Sequence, residues 1–167
     1  IIAKSLGKPL DELFSSLSEP LAAASLAQMP AAVTSDIPPR RVAVKVLRPG
    51  IAVEFARNIS AFAFAARMAE RISSEARRLR AIEVVNTLAQ SVALELDLRM
   101  EGAAASELAE RTRDDEDFHV PAVDWERTSE CVLTTEWVEG TPIRDPAALL
   151  AVGLDPKRIA LILVRSF

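Results

Sequence analysis

Tyrosine is absent from this 167-residue chain, and cysteine and histidine occur once each, as Cys131 and His119. A single thiol excludes an internal disulfide, and one thiol with one imidazole cannot make a zinc site between them. Such sparse cysteine suits a reducing compartment. Long apolar runs are missing too. The longest candidate, AFAFAARMAERI at 61–72, is interrupted by Arg67 and Glu70. IALILV at 159–164 is far shorter than the roughly 20 residues a spanning helix needs. No signal-peptide pattern opens the chain. There is no basic excess either: 20 Lys and Arg against 24 Asp and Glu leave a net charge of −4. That balance argues against a nucleic-acid partner, whose phosphates call for a basic surface.

What is present supports a folded unit. Half of the residues are hydrophobic and 26 % are charged, so a buried core is feasible and global disorder is not expected. The length suits one domain or a large piece of one. The chain opens on Ile1 rather than Met and reaches Phe167 within an apolar helical pattern, so a part of a longer protein is expected.

Along the chain, residues 6–20 suggest a short helix around DELFSSL, closed by Ser18, Glu19 and Pro20. The small, apolar LAAASLAQM leads into AAVTSD and a Pro-Pro turn at 38 and 39. RVAVKVLRP is the clearest strand, with Val42, Val44 and Val46 at period two. Helical spacing follows at about 51–75, through Phe55, Ile59, Phe62, Ala66 and Ala69, and again at 79–99, through Ile82, Val85, Leu88, Val92 and Leu96. A third helix is expected at about 101–113. FHVPAVDW and CVLTTEWV read as an antiparallel pair of strands around the charged turn ERTSE. DPAALLAVG and DPKRIALILVRSF each open with an Asp-Pro pair suited to the N-cap and first helical position. The expected class is α+β, a small sheet with a helical layer.

Lys45 lies in the middle of the clearest strand. Its ammonium either snorkels to solvent from an outward face or points to a partner, since burying it unpaired is costly. Candidate partners are Glu95, Asp97 and Glu101 in ELDLRMEGAAASEL. Asp97 and Glu101 are four apart, so on an unbroken helix they share a face and repel. Such a cluster calls for a cation, or else forms a solvated acidic face relieved locally by Arg99. RRLR at 77–80 reads as a solvated helix face or a contact with another segment.

Four motifs in order, PLAAASLAQ, VAVKVLRPG, ELDLRME and VLTTEWVEGTPI, resemble the UbiB family of atypical kinases, also called ADCK-type kinase-like proteins. The likeness covers nearly the whole chain and implies a protein-kinase-like N-lobe, a small antiparallel sheet with family-specific helices, over residues 1–138. Residues 139–167 would be the exit from the hinge and the first C-lobe helices. By the same resemblance, Ala22, Ala23, Ala24 and Ser25 form an alanine-rich loop where other kinases have a glycine-rich one. Alanine narrows the accessible φ, so that loop should close less readily over phosphates. Gln28 ends the loop motif and can bond its backbone or the phosphates. Lys45 would pair with the α- and β-phosphates of ATP or ADP and with Glu101, while Glu95 and Asp97 would be the family's E-x-D pair. The C=O of Glu136 and N–H of Val138 would bond the adenine edge; because these are main-chain groups, the alternative of a plain strand end with Trp137 packing stays open.

The resemblance further implies Mg2+ as a companion of the nucleotide and support of ubiquinone biosynthesis at the cytoplasmic side of a bacterial inner membrane. Isoprenoid lipid intermediates and biosynthetic enzymes would be partners, and membrane anchoring would come from segments outside this chain. Several features depart from the pattern. Met29 and Pro30 stand where relatives usually have Val-His, and Ala104 stands where many have asparagine. DFH at 117–119 precedes the VPAV stretch, the wrong order for a D-F-G motif, and His119 reads as a loop residue. No H-x-D-x-x-x-x-N catalytic loop follows residue 138, so the 167 residues alone are not expected to transfer a phosphoryl group, and magnesium ligands are expected outside them. The rival is a non-catalytic, pseudokinase-like scaffold for lipids or enzymes.

Overall fold

Val42 and Val44, two residues apart, are 2 % and 0 % exposed, which fixes one face of the 41–47 stretch against a core. The computed structural model describes residues 1–23 and 26–166. Among these, four strands form one antiparallel sheet in the order of the chain: β1 (Phe14–Ala23), β2 (Ala27–Thr34), β3 (Arg41–Leu47) and β4 (Val132–Glu136). The α+β class and the small antiparallel sheet with helices are therefore as the sequence indicates.

The two sheet faces bury different sets of side chains. Short helices α1 (Ile2–Leu6) and α2 (Leu10–Leu13) contribute Ile2 and Leu13 to one face, with Phe14, Ala32, Val42, Val44 and Val132. The other holds Ala27, Leu47, Leu133 and Leu98, the last from α6 (Leu98–Arg111). Burying each such Val or Leu contributes about 1.5–3 kcal/mol relative to exposure. Between β3 and α6 the chain runs through α3 (Ile51–Ile72), α4 (Ser74–Arg78) and α5 (Ala81–Glu95), with α5 packed on α3. Glu70 Oε1 accepts the Ile82 N–H at 2.9 Å, tying the two helices near their connection. After β4 come α7 (Pro146–Ala151) and α8 (Pro156–Ser166). Asp145 caps α7 by accepting the Ala148 N–H, and Pro146 takes the first helical position. No helix among the described residues is long and apolar enough to cross a membrane.

Three expectations are corrected. The DELFSSL helix stops at Leu13, and FSSLSEPLAA is β1. Leu10, Leu13 and Leu17 imitate helical spacing, whereas β1 shifts register against β2 between Phe14 and Ser16, Leu17 and Pro20, and Pro20 and Ala22. Each bulge moves the following side chains to the other face and erases the alternation that marks a strand. The helix expected over 79–99 is α5, and it ends at Glu95; Asp97 caps a new helix, α6. FHVPAVDW is not a continuous strand. It pairs with β4 through a single bridge, Val123 to Thr135, before a 3-10 turn at Trp125–Arg127.

That turn carries a partly buried ion network. Arg127 donates from Nε to the Leu13 carbonyl at 3.0 Å, from one terminal nitrogen to Asp124 at 3.0 Å and from the other to Asp36 at 2.5 Å. Arg40 binds the same two carboxylates at 2.8 Å each. The Arg40 and Arg127 guanidinium groups hold the Asp36 carboxyl down at about 2. One network thus joins the β2–β3 connection, the end of α2 and the segment before β4.

Candidate functional site

Alternation along β3 puts Lys45 on the sheet face that α6 covers, opposite Leu133 of β4. Its Nζ donates to both oxygens of Glu101, at 2.8 and 2.6 Å. Glu101 stands in the first turn of α6, where a negative charge also favours the helix dipole. The Lys45 side chain is 25 % exposed and that of Glu101 50 %. A pair this open to water adds little stability, about 0–1 kcal/mol. Its consequence is directional: the ammonium is held on a solvent-reached face with a donor capacity of three.

Two contacts set the height of α6 over the sheet. The Leu98 N–H donates to the Glu130 carbonyl at 2.9 Å, and the Leu98 side chain is buried. One residue past Glu101, Gly102 lies so close to β4 that a Cβ there would meet Leu133 Cδ1 at 3.1 Å and Trp125 Cη2 at 3.2 Å. The missing side chain lets the helix approach the strand that pairs with β3, which brings Glu101 within reach of Lys45.

Glu95 and Asp97 are not gathered at Lys45. Glu95 is an exposed last residue of α5. Asp97 accepts the Arg99 N–H at 3.1 Å and binds the Arg99 guanidinium at 2.9 and 2.7 Å. The Arg99 side chain holds the Asp97 carboxyl below the usual carboxylate range. The helix break at 96–97 removes the shared face on which Asp97 and Glu101 would have repelled, and Arg99 supplies the local relief.

At the end of β4, the Glu136 carboxylate accepts from the Ala122 N–H at 3.3 Å and lies 3.0 Å from His119 Nε2. The Ala122 N–H first and His119 second lower its pKa. Val138 follows, half exposed. Between them, Trp137 is covered by the Arg41 guanidinium, 4.0 Å from the ring centroid, and Arg41 also pairs with Glu139 at 3.0 Å. The segment 137–139 is thereby clamped to the first residue of β3.

Ala22 lies near the end of β1, paired with Met29, and Ala23 pairs with Gln28. Ala24 and Ser25, the rest of the expected alanine-rich loop, lie outside the described residues. Gln28 is exposed on β2 and pairs across to Val46, the neighbour of Lys45. Among the described residues no group of three or more His, Cys, Asp or Glu side chains converges as a metal site. Sequence reasoning missed Gly102, the His119–Glu136 contact and the Arg41 clamp. Only the first left a local signal, a lone glycine inside a helical pattern.

A protein-family model, described as the ABC1 atypical kinase-like domain, matches residues 1–167. The chain belongs to this family. Its UbiB relatives include the probable protein kinase UbiB of Marinobacter nauticus, 38 % identical over 96 % of this chain and 29 % of that protein. The Xanthomonas euvesicatoria protein of the same name is 40 % identical over 100 % of this chain and 31 % of its own length. This chain therefore spans under a third of the UbiB proteins it matches. Among solved structures, Rv3197 of Mycobacterium tuberculosis in its complex with erythromycin superposes with a TM-score of 0.63 at 30 % identity, over 86 % of this chain and 35 % of that one. The motif resemblance read from the sequence and the ABC1 kinase-like fold agree.

Proposed function

We propose that this chain is the nucleotide-binding part of a UbiB-type atypical kinase or ATPase, with residues 1–138 as N-lobe and 139–167 entering the C-lobe. The observation that carries the reading is the Lys45–Glu101 pair, a strand lysine held by a helix carboxylate at 2.6 Å. In kinases a lysine so held pairs with the α- and β-phosphates. In this reading the adenine edge meets the Glu136 carbonyl and the Val138 N–H, and the alanine-rich motif that opens at Ala22 serves the phosphates. Glu95 and Asp97 act at the mouth of the site rather than on the lysine. Magnesium accompanies the nucleotide, on ligands assigned to other parts of the longer protein. Kinship with proteins named as probable kinases supports phosphoryl transfer or ATP hydrolysis by the parent. Support of ubiquinone biosynthesis at the cytoplasmic side of the inner membrane, with isoprenoid intermediates or biosynthetic enzymes as partners, follows from the same kinship.

The test is a nucleotide titration of the full-length protein followed by thermal unfolding. ADP or ATP should raise the unfolding temperature of the wild type by mass action, and Lys45→Ala should abolish the rise. Equal stabilisation of both would remove the role given to Lys45. No stabilisation of either would leave the scaffold reading.

A further inference from the structure

We propose that the carboxylate of Glu136 is a positioning group, which keeps the main-chain carbonyl of the same residue open to the 6-amino group of an adenine base. The inference rests on the nucleotide reading above and adds a side-chain requirement to a contact otherwise made by backbone alone.

The geometry is that of an antiparallel pair left unfinished. Residues facing each other in a hydrogen-bonded pair exchange two bonds, each N–H donating to the other's carbonyl. Beside β4, the Asp124 N–H donates to the Thr134 carbonyl at 2.9 Å, and Val123 bridges Thr135. The Asp124–Thr134 pair lacks its returning bond, the Thr134 N–H going to Thr128 Oγ1 at 3.2 Å, and the next is half made too: the Glu136 N–H donates to the Ala122 carbonyl at 2.8 Å. The returning bond would run from the Ala122 N–H to the Glu136 carbonyl. Instead that N–H donates to Glu136 Oε2 at 3.3 Å, and His119 Nε2 holds the same oxygen at 3.0 Å. Among the described residues the Glu136 carbonyl receives no other backbone N–H outside the sheet ladders.

The side chain has therefore taken the one donor that would otherwise close the pair. An ionised carboxylate makes a stronger acceptor than a neutral amide carbonyl, so the diversion is favoured while Glu136 carries its charge. Without an acceptor at this position, the Ala122 N–H is free to turn to the Glu136 carbonyl, extending the pairing by one bond. The carbonyl would then meet an adenine amine with its donor need already met.

Two ligands isolate this effect: ADP, and purine riboside 5′-diphosphate, which lacks the 6-amino group and keeps the acceptor at N1. Their dissociation constants are measured by titration calorimetry on the full-length wild type, Glu136→Ala and Glu136→Gln. The wild type should prefer ADP by roughly five- to tenfold, the equivalent of one net hydrogen bond. In Glu136→Ala the preference should fall below about twofold, while Glu136→Gln, whose neutral amide oxygen can accept from Ala122 but less strongly than the carboxylate, should fall between the two. If Glu136→Ala does not fold, Glu136→Met removes the acceptor while keeping most of the stem. An unchanged preference in the acceptor-free variant, or none in the wild type, would overturn the inference while leaving nucleotide binding intact. Failure of the wild type to bind either ligand would overturn the nucleotide reading, and this inference with it.

Discussion

Gly102 of α6 touches Leu133 of β4 so closely that a Cβ on the glycine would sit 3.1 Å from Leu133 Cδ1. Leu133 pairs with Lys45, and Glu101 immediately precedes Gly102, so this contact, with the Leu98 N–H bond to the Glu130 carbonyl, sets the distance across which the ion pair forms. Alanine at 102 needs its neighbours to give by a few tenths of an ångström, offset by about 1 kcal/mol of better helix propensity. Valine has no such relief. We expect Gly102→Val to destabilise by about 1–3 kcal/mol, the cost of overpacking, and to weaken nucleotide binding as α6 lifts, whereas Gly102→Ala should stay close to wild type. Urea unfolding with a parallel ADP titration measures both.

Arg127 is the buried hub of its ion network, bonded to the Leu13 carbonyl, Asp36 and Asp124. Removing it leaves the Leu13 carbonyl without this donor and Asp36 and Asp124 paired with Arg40 alone, so Arg127→Met should cost about 1–3 kcal/mol. Lysine cannot reproduce a planar fork with three acceptors, and Arg127→Lys should recover less than half of the loss. Denaturant unfolding of both variants checks this.

The same network dictates an acid limb. Asp36 has a folded pKa of about 2 against an ordinary value of 3.8, so over that interval the unfolded chain binds more protons than the folded one. Stability therefore rises with pH there. The Asp36 contribution is complete above about pH 4 and is lost as pH falls through about 2. Asp97 and Glu136, also lowered, act in the same direction. Asp36→Asn should flatten the slope of unfolding free energy between about pH 4 and pH 2, measured by urea titrations across that range; an unchanged slope would remove Asp36 from the acid limb.

Asp97 caps α6 through the Arg99 N–H. Replacing a capping Asp by Ala costs about 1 kcal/mol, and by Asn very little. Asp97→Ala should lower stability by that amount and Asp97→Asn should not, as read from thermal unfolding without nucleotide.

The strand carrying Lys45 was legible because β3 is regular: its valines face one core and alternation puts the lysine on the opposite face. β1 was not, because its bulges shift register three times and its leucines fall at helical spacing. The pairing of Lys45 with Glu101 rather than Asp97 was likewise not readable from spacing. It depends on a helix break at Leu96 and Asp97 and on Arg99 neutralising Asp97 locally, and both run against the unbroken 79–99 pattern. The role of Glu136 lay further out of reach, since it depends on which of two oxygens the Ala122 N–H meets after the chain has folded back from residue 122 to 136.

The most direct test of the site is a double-mutant cycle on Lys45 and Glu101, read as ADP affinity in the full-length protein. If the carboxylate acts by holding the ammonium toward the phosphates, Lys45→Met and Glu101→Gln should each weaken binding, and the double variant should lose little more than Lys45→Met alone, a coupling of at least about 0.5 kcal/mol. Fully additive losses, or ADP affinity unchanged by Lys45→Met, would contradict a nucleotide site built on this pair.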